Sequence, residues 1–145
     1  MTRDNFLGFG CSATTLLRKQ FKVNTFSVEG YCKRIAEKKL PTSLTIRFTK
    51  RQRMVYYLFW TAYSTRVNQA DFEKFFGVPL KKAYGFEIFM AKLLGFVEEK
   101  EKGLYEMTLK GAFYYHHYEN YYTLAYIDKM WGIMRKEPFP KGIEL

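Results

Sequence analysis

The residues best suited to chemistry in this chain are two cysteines, two histidines and a short glycine-bearing segment. The spacing of Cys11 and Cys32 fits no zinc or iron–sulfur motif. His116 and His117 are adjacent on a predicted helix, so they point about 100° apart and do not make a two-ligand metal site. One of them could ligate haem, or lie half-buried beside tyrosines. The sequence predicts no catalytic set, no bound cofactor of its own and no protein-ligated four-iron cluster.

The glycine-bearing segment is Gly8-Phe9-Gly10. It lacks the third glycine of a dinucleotide fingerprint, and no helix follows it immediately. Residues 6–11 instead indicate a buried strand ending in a loop, where glycine permits close approach of another backbone. A lone buried strand needs a sheet, and no comparable strand lies nearby in the sequence. We therefore expect the neighbouring strands of a barrel to be absent from this chain.

The composition describes a basic, aromatic-rich protein. The net charge is +10, and 19% of the residues are aromatic. The surplus aromatics suit a core, a flat surface for a ring ligand, or an interface. A basic segment suits nucleic acid, an anionic membrane or a polyanionic small molecule. Two thiols without a signal peptide indicate a reducing cytosol, hence a cytoplasmic location, and no apolar run approaches the ~20 residues of a membrane span. We expect no membrane partner.

Local patterns predict the elements of the first half. Ser27 is typical of a helix N-cap, for a helix that runs to about Lys38. Residues 44–48 alternate as a half-buried strand does. Thr49 and Gln52 form a capping-box pattern at the start of the next helix.

The second half predicts two more helices, a hairpin and a long terminal helix. Asn68 opens a short helix, and residues 81–94 form another. The hairpin turns at Lys102-Gly103, and Thr108 caps a helix that runs to about Met134. Three helices followed by a hairpin is the order of a winged helix. The prediction is an α+β chain: residues 1–40 are a barrel-derived strand and helix, and residues 41–145 are a winged-helix-like domain with a long C-terminal helix.

The winged-helix order raises nucleic-acid binding as an alternative function. The third helix is expected to place its apolar residues inward, namely Phe86, Phe89, Met90 and Leu93. It would then expose only Lys81, Lys82, Glu87 and Lys92, with no Arg, Asn or Gln to read base edges. The wing at residues 98–102 carries a net charge of −1, which repels phosphate. We expect weak, sequence-independent DNA binding at most.

Two stretches together resemble the oxygen-independent coproporphyrinogen III oxidases, which are radical S-adenosylmethionine enzymes. The first is Gly8-Phe9-Gly10-Cys11-Ser12-Ala13, followed by Asn24 and by Tyr31 in the next helix. It resembles the late barrel strand of that family. The second is Met107-Thr108-Leu109-Lys110-Gly111, which resembles the family's threonine-x-x-glycine at the last helix.

The resemblance implies a function in haem biosynthesis. Family members use a CxxxCxxC-bound 4Fe-4S cluster and S-adenosylmethionine to start oxidative decarboxylation of two propionates to vinyl groups. The resemblance places the cofactor at Gly8, Gly10, Ser12, Ala13 and Thr14. It makes Arg3, Arg18, Lys19 and Lys22 candidates to meet the propionates of a porphyrinogen, and the alternative is that they form a solvated basic face. This chain lacks the cluster motif, so we expect it to be inactive alone.

The resemblance also implies a role for the chain and its partners. It would cover the mouth of a radical S-adenosylmethionine barrel and help to shape the substrate site. The alternatives are a nucleic-acid-binding winged helix and a haem-binding or haem-transfer module. The predicted final helix is aromatic on every side, so we expect an exposed patch and self-association through residues 5–13, the final helix, or both.

Overall fold

A computed structural model describes residues 5–141, without the side chain of residue 126. The described elements, in chain order, are β1 (Thr14–Leu17), β2 (Gln20–Asn24), α1 (Val28–Ala36), β3 (Thr42–Arg47), α2 (Lys50–Tyr63), β4 (Arg66–Asn68), α3 (Gln69–Phe76), α4 (Leu80–Leu93), β5 (Val97–Glu101), β6 (Leu104–Met107) and α5 (Leu109–Lys136). They confirm the α+β class and the long terminal helix. The described residues divide into a central unit, residues 54–121, and an N-terminal unit, which comprises residues 5–53 and 122–141.

The N-terminal unit contains an antiparallel sheet in the order β1-β2-β3. Thr14 faces Val23 and Leu16 faces Phe21 across the first ladder. Side chains alternate between the two faces of a strand, so these four residues share one face. Leu16 and Val23 are buried there, while Lys22 and its neighbour Thr15 lie on the opposite face. The sheet therefore has one apolar face and one polar face.

The prediction of a buried strand over residues 6–11 is wrong. Only Phe6 pairs, in a two-hydrogen-bond bridge with Leu16. Phe9 is 85% exposed, and Leu7 is also exposed. The pairing partner is β1 of the same chain, which the sequence analysis missed together with β2. The turn between them has no glycine, because Arg18 itself adopts the left-handed conformation with φ 54°.

The predicted caps of this unit are confirmed. The Ser27 hydroxyl accepts a hydrogen bond from the Gly30 N–H at 3.0 Å, and α1 ends at Ala36, two residues earlier than expected. Thr49 and Gln52 form the reciprocal capping box, with bonds of 2.8 and 3.2 Å. Local hydrogen bonds fix these helix starts, which is why the sequence identifies them.

The central unit has the predicted order of three helices followed by a hairpin. It also has a strand, β4, that was not predicted and that completes a sheet in the order β4-β6-β5. Its core is a cluster of large buried side chains: Tyr57, Phe72, Leu80, Tyr84 and Tyr105. Asn68 caps α3, and Gly77 ends it in the left-handed conformation with φ 66°.

The predicted inward face of α4 is wrong. Phe86 is 73% exposed and Leu93 is 68% exposed, and Phe89 is exposed as well. The buried residues of the helix are Leu80 and Tyr84. The backbone angles at Tyr84 are non-helical, with φ −140° and ψ 30°, but the core-facing stripe continues beyond it, because Ile88 packs against the same core. The exposed face of α4 is therefore apolar as well as basic.

Candidate functional site

The candidate site is the glycine loop, residues 8–14, which leads into β1. Gly8 lies against the backbone of Thr14. A Cβ added to Gly8 would lie 2.9 Å from the Thr14 carbonyl carbon and 3.0 Å from the Thr14 nitrogen, which no real side chain tolerates. The Gly8 N–H donates to the Thr15 hydroxyl at 3.0 Å. Glycine is required here by close approach of two backbones.

Gly10 is held from two sides by residues that come later in the chain. Its N–H donates to the Tyr31 hydroxyl at 3.2 Å. Its carbonyl accepts a hydrogen bond from the Asn24 side-chain amide at 2.9 Å. The φ of Gly10 is 99°, a conformation that favours glycine. Asn24 and Tyr31, which carry the family resemblance, are thus the supports of this loop.

The rest of the loop is anchored through its backbone. The Ser12 N–H donates to the Thr25 carbonyl at 3.0 Å, and the Asn24 N–H donates to the Ala13 carbonyl at 2.9 Å. The Ser12 hydroxyl donates to the Cys11 carbonyl at 2.6 Å. Thr14 pairs with Val23 in the sheet. The five predicted cofactor-binding residues therefore lie on one short segment, which is held mainly by hydrogen bonds to residues outside it.

One position of the loop is open to a ligand. No atom of the described residues lies within 4 Å of the place that a Cβ would occupy at Gly10. A ligand can therefore approach the Gly10 backbone directly, whereas Gly8 is closed by Thr14.

The structure does not bring all predicted basic residues to the loop. Arg18 and Lys19 form the far turn of the β1–β2 hairpin, about 13 Å from the loop at ~3.3 Å per strand residue. There the Arg18 N–H donates to the Asn5 side chain at 2.7 Å, and the Arg18 carbonyl accepts from Arg53 at 3.2 Å. Lys22 lies nearer, opposite Thr15. Arg3 lies outside the described residues.

The residues present do not fit an iron–sulfur cluster. Cys11 is half-buried with its sulfur 3.9 Å from the Ser27 carbonyl, and Cys32 is exposed. Among residues 5–141, no three metal-ligating side chains come together. Two cysteines cannot supply the three thiolates of a CxxxCxxC motif, so no step of any reaction is assigned to such a cluster on this chain.

The two histidines lie on α5 among aromatic rings. His116 packs edge-on against Tyr63, with the ring centroids 5.2 Å apart. His117 stacks on Phe113, with the ring centroids 6.2 Å apart and the ring planes 10° from parallel. Burial raises the pKa of the neighbouring Tyr115, whose hydroxyl donates to the Phe59 carbonyl at 2.7 Å. His116 is half-buried beside Tyr63 and Tyr115, whereas His117 is exposed.

The outer surface of α5 is rich in exposed aromatic residues. They are Phe113, Tyr114, Tyr118, Tyr121, Tyr122 and Trp131. The prediction of an exposed aromatic surface on the final helix is confirmed, while self-association stays a prediction. No helix within the described part of the chain is long and apolar enough to cross a membrane.

Comparisons with known proteins give one fold relationship. No family model and no curated protein sequence matches the chain. A solved structure of coproporphyrinogen III oxidase (HemN) from Escherichia coli, described as a radical SAM enzyme, matches with a TM-score of 0.55 at 16% identity. The match covers 77% of this chain and 26% of the oxidase chain. This chain shares its fold with that part of the oxidase, whose whole length it does not span.

Sequence reasoning missed the threonines that support the loop. Thr15 binds the Gly8 N–H through its hydroxyl, and the fully buried Thr25 supplies the carbonyl that binds Ser12. The alternation of Phe21, Lys22 and Val23 was the available signal, since it indicates a strand. Recognising β2 would have placed both threonines beside the glycines.

Proposed function

We propose that this chain is the late-strand and C-terminal portion of a radical S-adenosylmethionine protein of the coproporphyrinogen III oxidase type. It would cover the mouth of a barrel that carries the CxxxCxxC-bound cluster, in the same polypeptide or in a partner. The observation that carries the proposal is the glycine loop braced by Asn24 and Tyr31, in a chain that shares its fold with part of the E. coli oxidase.

The loop's proposed role is to present backbone to S-adenosylmethionine. The open side of Gly10 admits the ligand, while the bonds from Asn24 and Tyr31 keep the loop from collapsing into that space. When bound, S-adenosylmethionine would supply the deoxyadenosyl group of the reaction. The residues of this chain would orient it through a preorganised loop, and they would perform no redox step themselves.

The exposed edge before the loop supports a barrel partner. Within residues 5–141, Phe6 pairs with Leu16 and with no second strand. Leu7 and Phe9 are exposed beside it. Exposed apolar residues next to a single β-bridge leave backbone groups that a further strand could pair with. We propose that a barrel strand covers this edge, and that in the isolated chain a second copy takes its place.

The sequence predicted four cations as substrate contacts, and of those within the described residues Lys22 lies nearest the loop. We therefore propose Lys22, rather than Arg18 or Lys19, as a contact of an anionic porphyrinogen.

A chimera tests the proposal. The segment of the E. coli oxidase that matches this chain is replaced by this chain, and the purified protein is reconstituted anaerobically with iron and sulfide. Cluster absorbance reports whether the barrel has folded, and release of 5′-deoxyadenosine reports S-adenosylmethionine cleavage. Conversion of coproporphyrinogen III reports substrate use. A chimera carrying Gly10→Val is the matched control, because a branched side chain fills the open position and is strained at φ 99°.

The three readouts separate the parts of the proposal. We expect the chimera to hold a cluster and cleave S-adenosylmethionine, and the Gly10→Val chimera to hold the cluster with at least about tenfold less cleavage. A cluster without cleavage in the parent chimera would refute the cofactor role. Cleavage without substrate conversion would retain the cofactor role and refute the porphyrinogen assignment.

A further inference from the structure

A cleft between α4 and the β5–β6 hairpin of the central unit lies outside the glycine loop. Its inner cavity has a volume of about 180 Å³ and takes its walls from α2, α4 and all three strands, with Leu80, Ala91 and Val97 among them. An outer cavity of about 400 Å³ adjoins it and shares Ile88 and Tyr105. An enclosed apolar cavity of roughly 150 Å³ is enough to bind benzene, and the inner cavity has a comparable volume but is open on one side, so it has room for one aromatic ring that stays partly exposed.

Tyr105 gives the inner cavity a polar group. The residue is 3% exposed, and its hydroxyl oxygen is buried without a hydrogen-bond partner among the described residues. Buried tyrosine hydroxyls ordinarily have a partner. Tyr105 lines both cavities, so a ligand that spans them contacts this side chain.

The wall of the cleft is interrupted where α4 breaks. Tyr84 has non-helical backbone angles, and the next residue, Gly85, lines the outer cavity. No described atom lies within 4 Å of the place that a Cβ would occupy at Gly85. A break followed by a residue without a side chain leaves an opening at this point.

The mouth of the outer cavity carries positive charge. Lys81 and Lys92 line it together with a single carboxylate, Glu99. The Lys92 ammonium lies 3.0 Å from Glu99, and the Lys81 ammonium lies 3.9 Å from it. Glu99 also accepts the Gly103 N–H at 3.0 Å, which holds it in place. Glu87, the other acidic residue of the cleft, lines only the inner cavity. Two ammonium groups face one carboxylate, so an anion is favoured there.

We propose that this cleft binds a small carboxylic acid with an aromatic body. The ring occupies the inner cavity between Ile88 and Val97, and the carboxylate meets Lys81 and Lys92 at the mouth. This site is separate from the glycine loop and does not rest on the function proposed above.

The test compares three probes on the full chain: 3-phenylpropionate, 3-phenylpropan-1-ol and acetate. Backbone amide NMR titrations at low salt give the affinity and the location of each. We expect saturable shifts within residues 81–92 and 97–105. The acid should bind about fivefold more tightly than the alcohol, the gain of one ion pair at an exposed site, and acetate should not saturate. The preference for the acid should shrink towards unity in 0.5 M salt.

Variants assign the preference to named residues. Lys81→Gln with Lys92→Gln should abolish the preference for the acid, while the matched control Lys82→Gln, on the same helix but outside the cleft, should keep it. Glu99→Gln should strengthen binding of the acid, because Glu99 competes for the two lysines. Ala91→Leu, which fills the inner cavity, should weaken binding of both the acid and the alcohol.

Two results would overturn the proposal. One is equal affinity for acid and alcohol at low salt, and the other is shifts that saturate elsewhere in the chain or not at all. If Ala91→Leu fails to fold, the comparison of acid with alcohol on the unmodified chain still decides the question.

Discussion

Substituting Gly8 tests whether the glycine loop is built on a backbone contact. In Gly8→Ala the new Cβ would lie 2.9 Å from the Thr14 carbonyl carbon and closer still to its oxygen. Thr14 cannot retreat without losing its pairing with Val23 in the sheet. Overpacking of this kind costs about 1–3 kcal/mol, and displacement of the Gly8 N–H from Thr15 costs about 1 kcal/mol more. We expect Gly8→Ala to lower the free energy of unfolding by about 2–4 kcal/mol.

Urea unfolding of the N-terminal unit measures this loss. Trp131 belongs to that unit and Trp60 to the central unit, so a Trp60→Phe background makes tryptophan fluorescence report the N-terminal unit alone. Gly132→Ala is the matched control, because no described atom lies within 4 Å of its added Cβ and alanine is favoured over glycine in a helix by about 1 kcal/mol. If Gly8→Ala unfolds within about 0.5 kcal/mol of the parent, the backbone contact at Gly8 is not as described.

Three further predictions concern single hydrogen bonds. Tyr31→Phe removes the acceptor of the Gly10 N–H and should cost about 1 kcal/mol in the same urea assay, with faster amide exchange at Gly10. Thr108→Ala removes the α5 cap, whose hydroxyl accepts from the Gly111 N–H at 3.0 Å, and should cost about 1 kcal/mol in thermal unfolding of the central unit; no change would mean that the cap is dispensable. The Gly103 N–H, and after it Lys92, lowers the pKa of Glu99 below its ordinary 4.5. The ionised Glu99 carboxylate therefore stabilises the folded state fully above pH 4.5, and this contribution is lost as the pH falls through the lowered pKa. Glu99→Gln should flatten the dependence of stability on pH in that acidic window, and an unchanged profile would contradict this.

The sequence predicts features that nearby residues fix by themselves. The caps at Ser27, Thr49 and Asn68 are correct because each side chain bonds to a backbone group two or three residues away. The same holds for the hairpin that turns at Gly103, where φ is 80°.

Features that depend on distant packing were not predictable from pattern alone. On α4 the most apolar stripe is Phe86, Phe89 and Leu93, yet these residues are exposed and the buried residues of the helix are Leu80 and Tyr84. Helical periodicity predicts which residues share a stripe but not which stripe faces the core, and here the core-facing stripe continues from Leu80 and Tyr84 to Ile88. Within the candidate site, the family resemblance found Gly8, Gly10, Asn24 and Tyr31 but missed Thr15 and Thr25, because their roles depend on a hairpin whose turn has no glycine.

The hydrogen bonds of the glycine loop fix its shape and do not identify a substrate. Gly8, Gly10 and Ala13 use their backbone groups to bind Thr15, Tyr31 and Asn24. A motif made of such internal bonds specifies the shape of the loop, and any ligand that fits beside Gly10 satisfies it. Under the proposed function, discrimination between porphyrin-related substrates would come from side chains outside the loop, of which Lys22 is the described candidate. For this reason cleavage of S-adenosylmethionine and conversion of coproporphyrinogen are separate questions, and the chimera has to measure both.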